Sequence, residues 1–135
     1  MSRVRNWERV LDETLSAYTG RVFEYGKCDC FLFTMDVLSK ITGEDWLGKS
    51  AVPSYENKTQ ATKILLEQFD GSMINLMDTM ASQKDVAFVQ RGNVVAVEFE
   101  EAFALGIFAY PSAKFVTDQG LMACSIKQVK YAWDT

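Results

Sequence analysis

Apolar residues recur with helical spacing through the first half of the chain and with strand spacing through the second. Trp7, Val10, Leu11, Leu15 and Tyr18 fall at i, i+3, i+4, i+8 and i+11, one stripe of a helix, and Gly20 stops it. Residues 21–25 form a short extended stretch broken by Gly26. From Cys30 to Thr42 the apolar set is Phe31, Leu32, Phe33, Met35, Val37, Leu38 and Ile41, which covers most of the circumference and places this helix at the centre of the core. Asp29 stands where an N-cap belongs and Gly43 where a C-cap belongs. Residues 44–56, with Gly48, Pro53 and Tyr55, read as irregular. Asn57 opens the next helix, with Gln60 three positions on as in a capping box. Ala61, Ile64, Leu65 and Phe69 supply its buried face, and Gly71 ends it. A shorter helix over 73–81 uses Ile74, Met77 and Met80.

Beyond residue 84 the pattern changes. Residues 85–90 form a short strand, followed by a turn at Arg91-Gly-Asn93. Strands are expected at 94–99, 104–110 (stopped by Pro111), 113–117, 121–125 and 130–133, with a turn at Asp118-Gln-Gly120. Helices first and short strands after imply an α+β domain, its N-terminal helices packed on an antiparallel sheet or partial barrel of five to six strands. Neither a repeat nor a linker interrupts residues 1–135, so one domain is expected.

Composition narrows the function classes. The chain of 135 residues carries 48% hydrophobic and 13% aromatic residues, enough for a core without a metal or disulfide staple. Its formal net charge is −4, from 14 Lys and Arg spread along the chain against 18 Asp and Glu, which disfavours a nucleic-acid binder. No apolar run approaches the ~20 residues of a membrane span, and no apolar region follows the basic N-terminal residues as in a secretory signal. Three cysteines, Cys28, Cys30 and Cys124, do not make a disulfide framework, and with no histidine they are too few for a zinc site. No cofactor is expected. Cys124 reads as a small buried hydrophobe.

Chemistry concentrates at Phe23-Glu-Tyr-Gly-Lys-Cys-Asp-Cys-Phe-Leu-Phe33. Cys30 falls in the first turn of the central helix, where unpaired N–H groups and the helix dipole favour a thiolate. Two readings stay open. Cys30 is a prepared nucleophile, or it is a small apolar residue that fits where helix meets sheet.

The pattern aromatic-Gly-x-x-Asp-Cys-x-x-Phe at a helix start resembles the nucleophile helix of the NlpC/P60 peptidases, which have a papain-like fold. A longer series of motifs is similar to the phage and prophage proteins grouped as DUF6950. It comprises the Trp7–Tyr18 helix, then Phe23, Tyr25, Gly26, Asp29 and Cys30, then Thr42-Gly-Glu-Asp45. It continues with Gln90-Arg-Gly-Asn-Val-Val95, Leu105-Gly-Ile107, Gly120-Leu121 and Ala132-Trp133, spanning nearly the whole chain.

In the NlpC/P60 peptidases the base is a histidine that opens a strand written His-Val-Gly-Ile. The matching stretch is Ala104-Leu-Gly-Ile107, so the resemblance puts Ala104 at the position of the missing His, and Cys30 becomes a vestigial nucleophile position with Asp29 as its helix cap. Gly92-Asn93 replaces the usual Gly-Asp. Without any histidine the chain holds no Cys–His or Ser–His pair of its own, and loss of a general base typically costs ~10²–10⁴-fold in rate.

The resemblance therefore implies a degenerate hydrolase fold used as a structural module of a phage particle, tail-associated. Its place would be the virion, and the bacterial host cytoplasm during assembly. Its partners would be other phage structural proteins in a symmetric multi-copy assembly, with no nucleic acid and no membrane. Two alternatives remain. One is a peptidoglycan-peptide hydrolase using Cys30 with a non-histidine base or one lent by a partner chain. The other is a host-interaction protein absent from the virion, its acidic surface suited to basic patches. Trp46 and Tyr55, aromatics of the 44–56 stretch, are the candidate interface anchors, unless they cover the core.

Overall fold

The central helix forms where its apolar density places it. In the computed structural model, which describes residues 2–135, α2 runs Cys30–Thr42. The Asp29 side chain accepts from Leu32 N–H at 2.9 Å at one end, and Gly43 ends the helix at φ +77°. Phe33, Val37, Leu38 and Ile41 are wholly buried. Helix α1, Trp7–Tyr18, packs on α2 through Leu11, Leu15 and Tyr18. The Tyr18 ring meets Phe33 edge-on at 4.9 Å, and its hydroxyl donates to Asp36 Oδ2 at 2.8 Å.

Residues 44–56 are not wholly irregular. Asp45 accepts from Gly48 N–H and caps a short helix, α3, Trp46–Ser50. This corrects the expectation for Trp46. The indole is 1% exposed and donates through Nε1 to Thr42 Oγ1 at 2.9 Å, so Trp46 belongs to the core and cannot anchor an interface.

Helix α4, Lys58–Phe69, is capped by Asn57, which accepts from Gln60 N–H. The return bond of the capping box shifts by one residue, from Glu56 N–H to Gln60 Oε1 at 2.7 Å. None of the α4 residues is fully buried, contrary to the expected core face. Helix α5, Met73–Asp78, is capped by Ser72 and ends short of the expected residue 81.

The strands are β1 Gln83–Lys84, β2 Val94–Phe99, β3 Ala102–Phe108, β4 Ser112–Thr117, β5 Gly120–Ser125 and β6 Val129–Trp133. They form an antiparallel sheet in the order β1-β6-β2-β3-β4-β5. The strand expected at 85–90 is absent. Asp85 Oδ1 instead accepts from Ala87 N–H at 2.8 Å, which turns 86–88 into one 3-10 turn and takes the backbone out of the ladder.

Both sheet faces are covered. Val94, Ala96, Leu105, Ile107 and Trp133 join the helices in the main core. The alternate residues Val95, Val97, Phe108, Phe115 and Ala132 build a second cluster behind the sheet. This explains why Val94–Val97 is a continuous apolar run. Cys124 packs at the edge of that second cluster but is only half-buried, short of the expected full burial.

Pairing between β2 and β3 runs the length of the hairpin, Val94↔Ile107 to Phe99↔Ala102. Pairing between β3 and β4 covers only Gly106↔Phe115, Ile107↔Lys114 and Phe108↔Ala113. The two strands therefore part beyond Gly106. A Cβ on Gly106 would lie 2.4 Å from the Lys114 carbonyl oxygen, so only glycine permits this close approach at the last paired step.

Trp46→Ala should destabilise the fold by about 3–5 kcal/mol, as large aromatic deletions from a core do. The urea-unfolding midpoint reads this. An unchanged midpoint would mean that the indole is not core.

Candidate active-site cleft

The segment before α2 is a tight reverse turn. Glu24 and Cys28 exchange both backbone hydrogen bonds, at 2.9 and 2.8 Å, and Gly26 closes the turn at φ +83°. This aims Asp29 and Cys30 at the gap where β3 and β4 part. Asp29 is 3% exposed, and its carboxylate takes three donors. They are Leu32 N–H to Oδ1, Gly26 N–H to Oδ2 at 3.0 Å, and the Tyr55 hydroxyl to Oδ2 at 2.6 Å. Asp29 therefore caps the helix, as expected, and also ties the 52–57 strap to the turn. The strap lies so close that a Cβ on Gly26 would sit 1.9 Å from the Tyr55 carbonyl oxygen.

Cys30 opens α2 and is partly exposed to a cleft of about 550 Å3. One wall is α4, through Ala61, Ile64 and Leu65; the other is the β2–β3 hairpin, through Phe99, Phe103 and Ala104. The half-buried apolar stripe of α4 thus faces the cleft. A periodic stripe looks the same in sequence whether it meets a core or a groove, so the pattern could not separate the two. Lys58, Glu100 and Asp118 stand at the cleft; nothing in their local sequence marked them.

Electrostatics at Cys30 run against a thiolate. Burial pushes the thiol from an ordinary 9.0 up to about 11. The N–H of Leu105 opposes that rise, the neighbouring Asp29 carboxylate adds to it, and the N–H groups of Phe31 and Cys30 oppose it. The helix N-terminus alone had suggested the reverse; desolvation outweighs it. Burial also raises Tyr25, helped by the Asp29 and Asp118 carboxylates. Burial and the bond to Asp29 raise Tyr55 well above the usual phenol range. Both tyrosines stay protonated at neutral pH, able to donate a proton but not to act as bases.

The structure brings Cys30, Asp29, Ala104 and Tyr55 to this one cleft and leaves Trp46 outside it. Tyr55 is half-buried and bonded to Asp29, so it is a wall of the cleft rather than a free surface anchor. Ala104 lines the cleft and also packs on the second cluster behind the sheet. On β3 it is the Leu105 N–H that acts on the sulfur, opposing the rise in its pKa. Asn93, in the Gly-Asp position of the resemblance, is buried. Its Oδ1 accepts from Lys84 Nζ at 3.0 Å and Gln90 N–H at 2.8 Å, so it braces the turn into β2. Among the described residues, no group of three or more Cys, Asp and Glu side chains gathers as a metal site would require.

A family model described as "Domain of unknown function (DUF6950)" matches residues 2–135. The chain belongs to the DUF6950 family. Among solved structures, this DUF6950 domain is similar to the NlpC/p60 domain of the peptidoglycan hydrolase SagA. The TM-score is 0.61 at 12% identity, covering 95% of this chain and 98% of that one. At that identity the likeness shows the fold, which is α+β and NlpC/P60-like. No curated protein sequence matches the chain.

Alkylation should expose the buried thiol. A shift from 9.0 to about 11 cuts the thiolate fraction near pH 8 by about a hundredfold. Thiolate appears only as pH rises toward the higher value, so iodoacetamide labelling of Cys30 should be negligible at pH 6 and climb steeply above pH 9. Fast labelling at pH 6 would contradict this reading of the site.

Proposed function

We propose that this DUF6950 domain is a catalytically silent NlpC/P60-like module whose cleft serves recognition and assembly. The observation that carries the reading is the state of Cys30: a thiol pushed up to about 11, in a chain without a single histidine. Cysteine hydrolysis of an amide needs a thiolate and a group that protonates the leaving amine. The tyrosines beside Cys30 cannot take its proton, and the Asp29 oxygens are already held by three donors.

The setting we propose is a phage particle, tail-associated, with other phage structural proteins as partners. It rests on the likeness of the motif series to phage and prophage proteins. A structural component is present in a fixed, symmetric copy number, whereas a host-directed factor is absent from purified virions.

One feature favours hydrolysis as a second reading. Backbone N–H groups of Leu105, Phe31 and Cys30 favour negative charge on the sulfur and oppose the rise from burial, as donors do for a developing anion. A base from a partner chain would then complete the site.

Digestion of purified peptidoglycan and its stem peptides tests both. The expected result is no product above buffer between pH 6 and 10, for the isolated chain and for intact virions, with Cys30→Ala indistinguishable from wild type. Product that disappears in Cys30→Ala would overturn the silent-module reading. Complementation of a deletion phage is the second arm. Cys30→Ala should cost no more than ~1–2 kcal/mol of stability and leave particle formation and titre close to wild type.

A further inference from the structure

We propose that the chain forms a two-fold dimer in which β5 pairs antiparallel with β5 of a second copy, centred on Ala123, so that the two sheets run on as one. The surface lies outside the cleft, and the inference goes beyond the reading of the cleft without depending on it.

The first support is an open edge whose backbone groups can be assigned. The sheet order leaves β1 and β5 as its outermost strands. Ala109 N–H donates to Ser112 O at 2.9 Å across the β3–β4 turn, so Ser112 bonds toward β3. Antiparallel alternation then turns Ser112, Lys114 and Val116 toward β3 and Ala113, Phe115 and Thr117 toward β5. The β5 residues opposite the second set are Cys124, Met122 and Gly120. That leaves the N–H and carbonyl groups of Leu121 and Ala123, and the Ser125 N–H, directed away from β4. No backbone group outside the sheet bonds to them among the described residues. No residue of β5 is fully buried.

The second support is that this edge is unguarded. Soluble proteins blunt exposed edges with short strands, lysines, prolines or bulges. β1 follows that rule, with two residues of which one is Lys84. β5 has six, Gly120 to Ser125, with neither a charge nor a proline. Its pairing with β4 runs through all of them without a register shift. An edge so regular and uncharged suits a strand partner.

The third support points to a second copy as that partner. A two-fold axis at Ala123 sets Leu121 against Ser125 of the second copy and Ala123 against its own counterpart, so outward donors meet outward acceptors. On the face toward the second cluster, Met122 falls opposite Cys124 of the second copy, and the reverse, which carries that apolar cluster across the interface. The same axis joins the two exposed apolar residues that flank the strand. Val22, 84% exposed, stands by the Gly120 end, where a Cβ on Gly120 would lie 3.7 Å from the Arg21 carbonyl oxygen. Ile126, 40% exposed, follows the Ser125 end. Gly120 falls opposite Ile126 of the second copy, so Val22 and Ile126 cover each other at both ends. The strand with these flanks buries roughly 1,000 Å2 in total, the lower bound of specific interfaces.

The test is sedimentation of the full chain over a concentration series. Wild type should pass from monomer to dimer with a dissociation constant on the order of 10 μM, as suits an interface of that size. Ala123→Lys puts like charges face to face on the axis and should weaken association at least about tenfold. Its urea midpoint, read where wild type is monomeric, should match wild type, because Ala123 is exposed. Leu66→Lys, at an exposed apolar residue of α4, should associate as wild type does. In a Cys124→Ser background, Ala123→Cys sets two thiols opposite each other on the axis, within the Cα separation of a disulfide. Mild oxidation should then give a covalent dimer. Ser125→Cys, whose counterpart lies out of register, should give none.

A chain that stays monomeric over the series would overturn the proposal and leave the edge to a strand of another protein. So would a dimer that Ala123→Lys leaves intact, or one that Leu66→Lys disrupts as strongly. A covalent dimer from Ser125→Cys and not from Ala123→Cys would overturn the pairing itself. None of these outcomes bears on the digestion test of the cleft.

Discussion

The Asp29 carboxylate is the constraint on which the cleft depends. A buried carboxylate without partners is costly to hold, and here three donors share it: Gly26 N–H, Leu32 N–H and the Tyr55 hydroxyl. One group thereby starts the central helix, closes the turn that presents Cys30, and pins the strap leading to α4. The turn and the helix are adjacent in the chain, and the strap, 26 residues from Asp29 at Tyr55, joins them through that single side chain. The position of the sulfur relative to β3 follows from that knot more than from any contact of the sulfur itself.

Much of this was legible in the sequence because it is local. The cap at Asp29, the stop at Gly43 and the bounds Cys30–Thr42 follow from side-chain hydrogen bonding and apolar density over a dozen residues. The order of helices and strands followed the change in period. The misses have physical causes. At 85–90 an Asp side chain competes for the backbone and defeats a short apolar run. At Trp46 a five-residue helix is held by capping and by an indole bond to Thr42, signals too short to give a period. The cleft needed three-dimensional information, because α4, the hairpin tip and the Asp118 turn converge only after folding.

At Cys30 two local effects oppose each other. A helix N-terminus offers N–H groups to a thiolate, which the sequence displays plainly. Desolvation between α2 and the sheet disfavours it, and the sequence displays that only as apolar neighbours on other elements. Magnitude decides the outcome, since the N–H groups moderate a rise they do not cancel. An imidazolium nearby would shift the balance, and the chain has none to supply.

Helix α4 walls the cleft yet buries none of its residues completely. Its contribution to the global folding free energy is correspondingly small, and such segments open locally at a lower cost than the core. Its sequence is therefore free to drift without threatening the α2–sheet scaffold. A lineage carrying this fold can change what the groove accepts by rewriting one amphipathic face, while the buried knot behind it stays as it is.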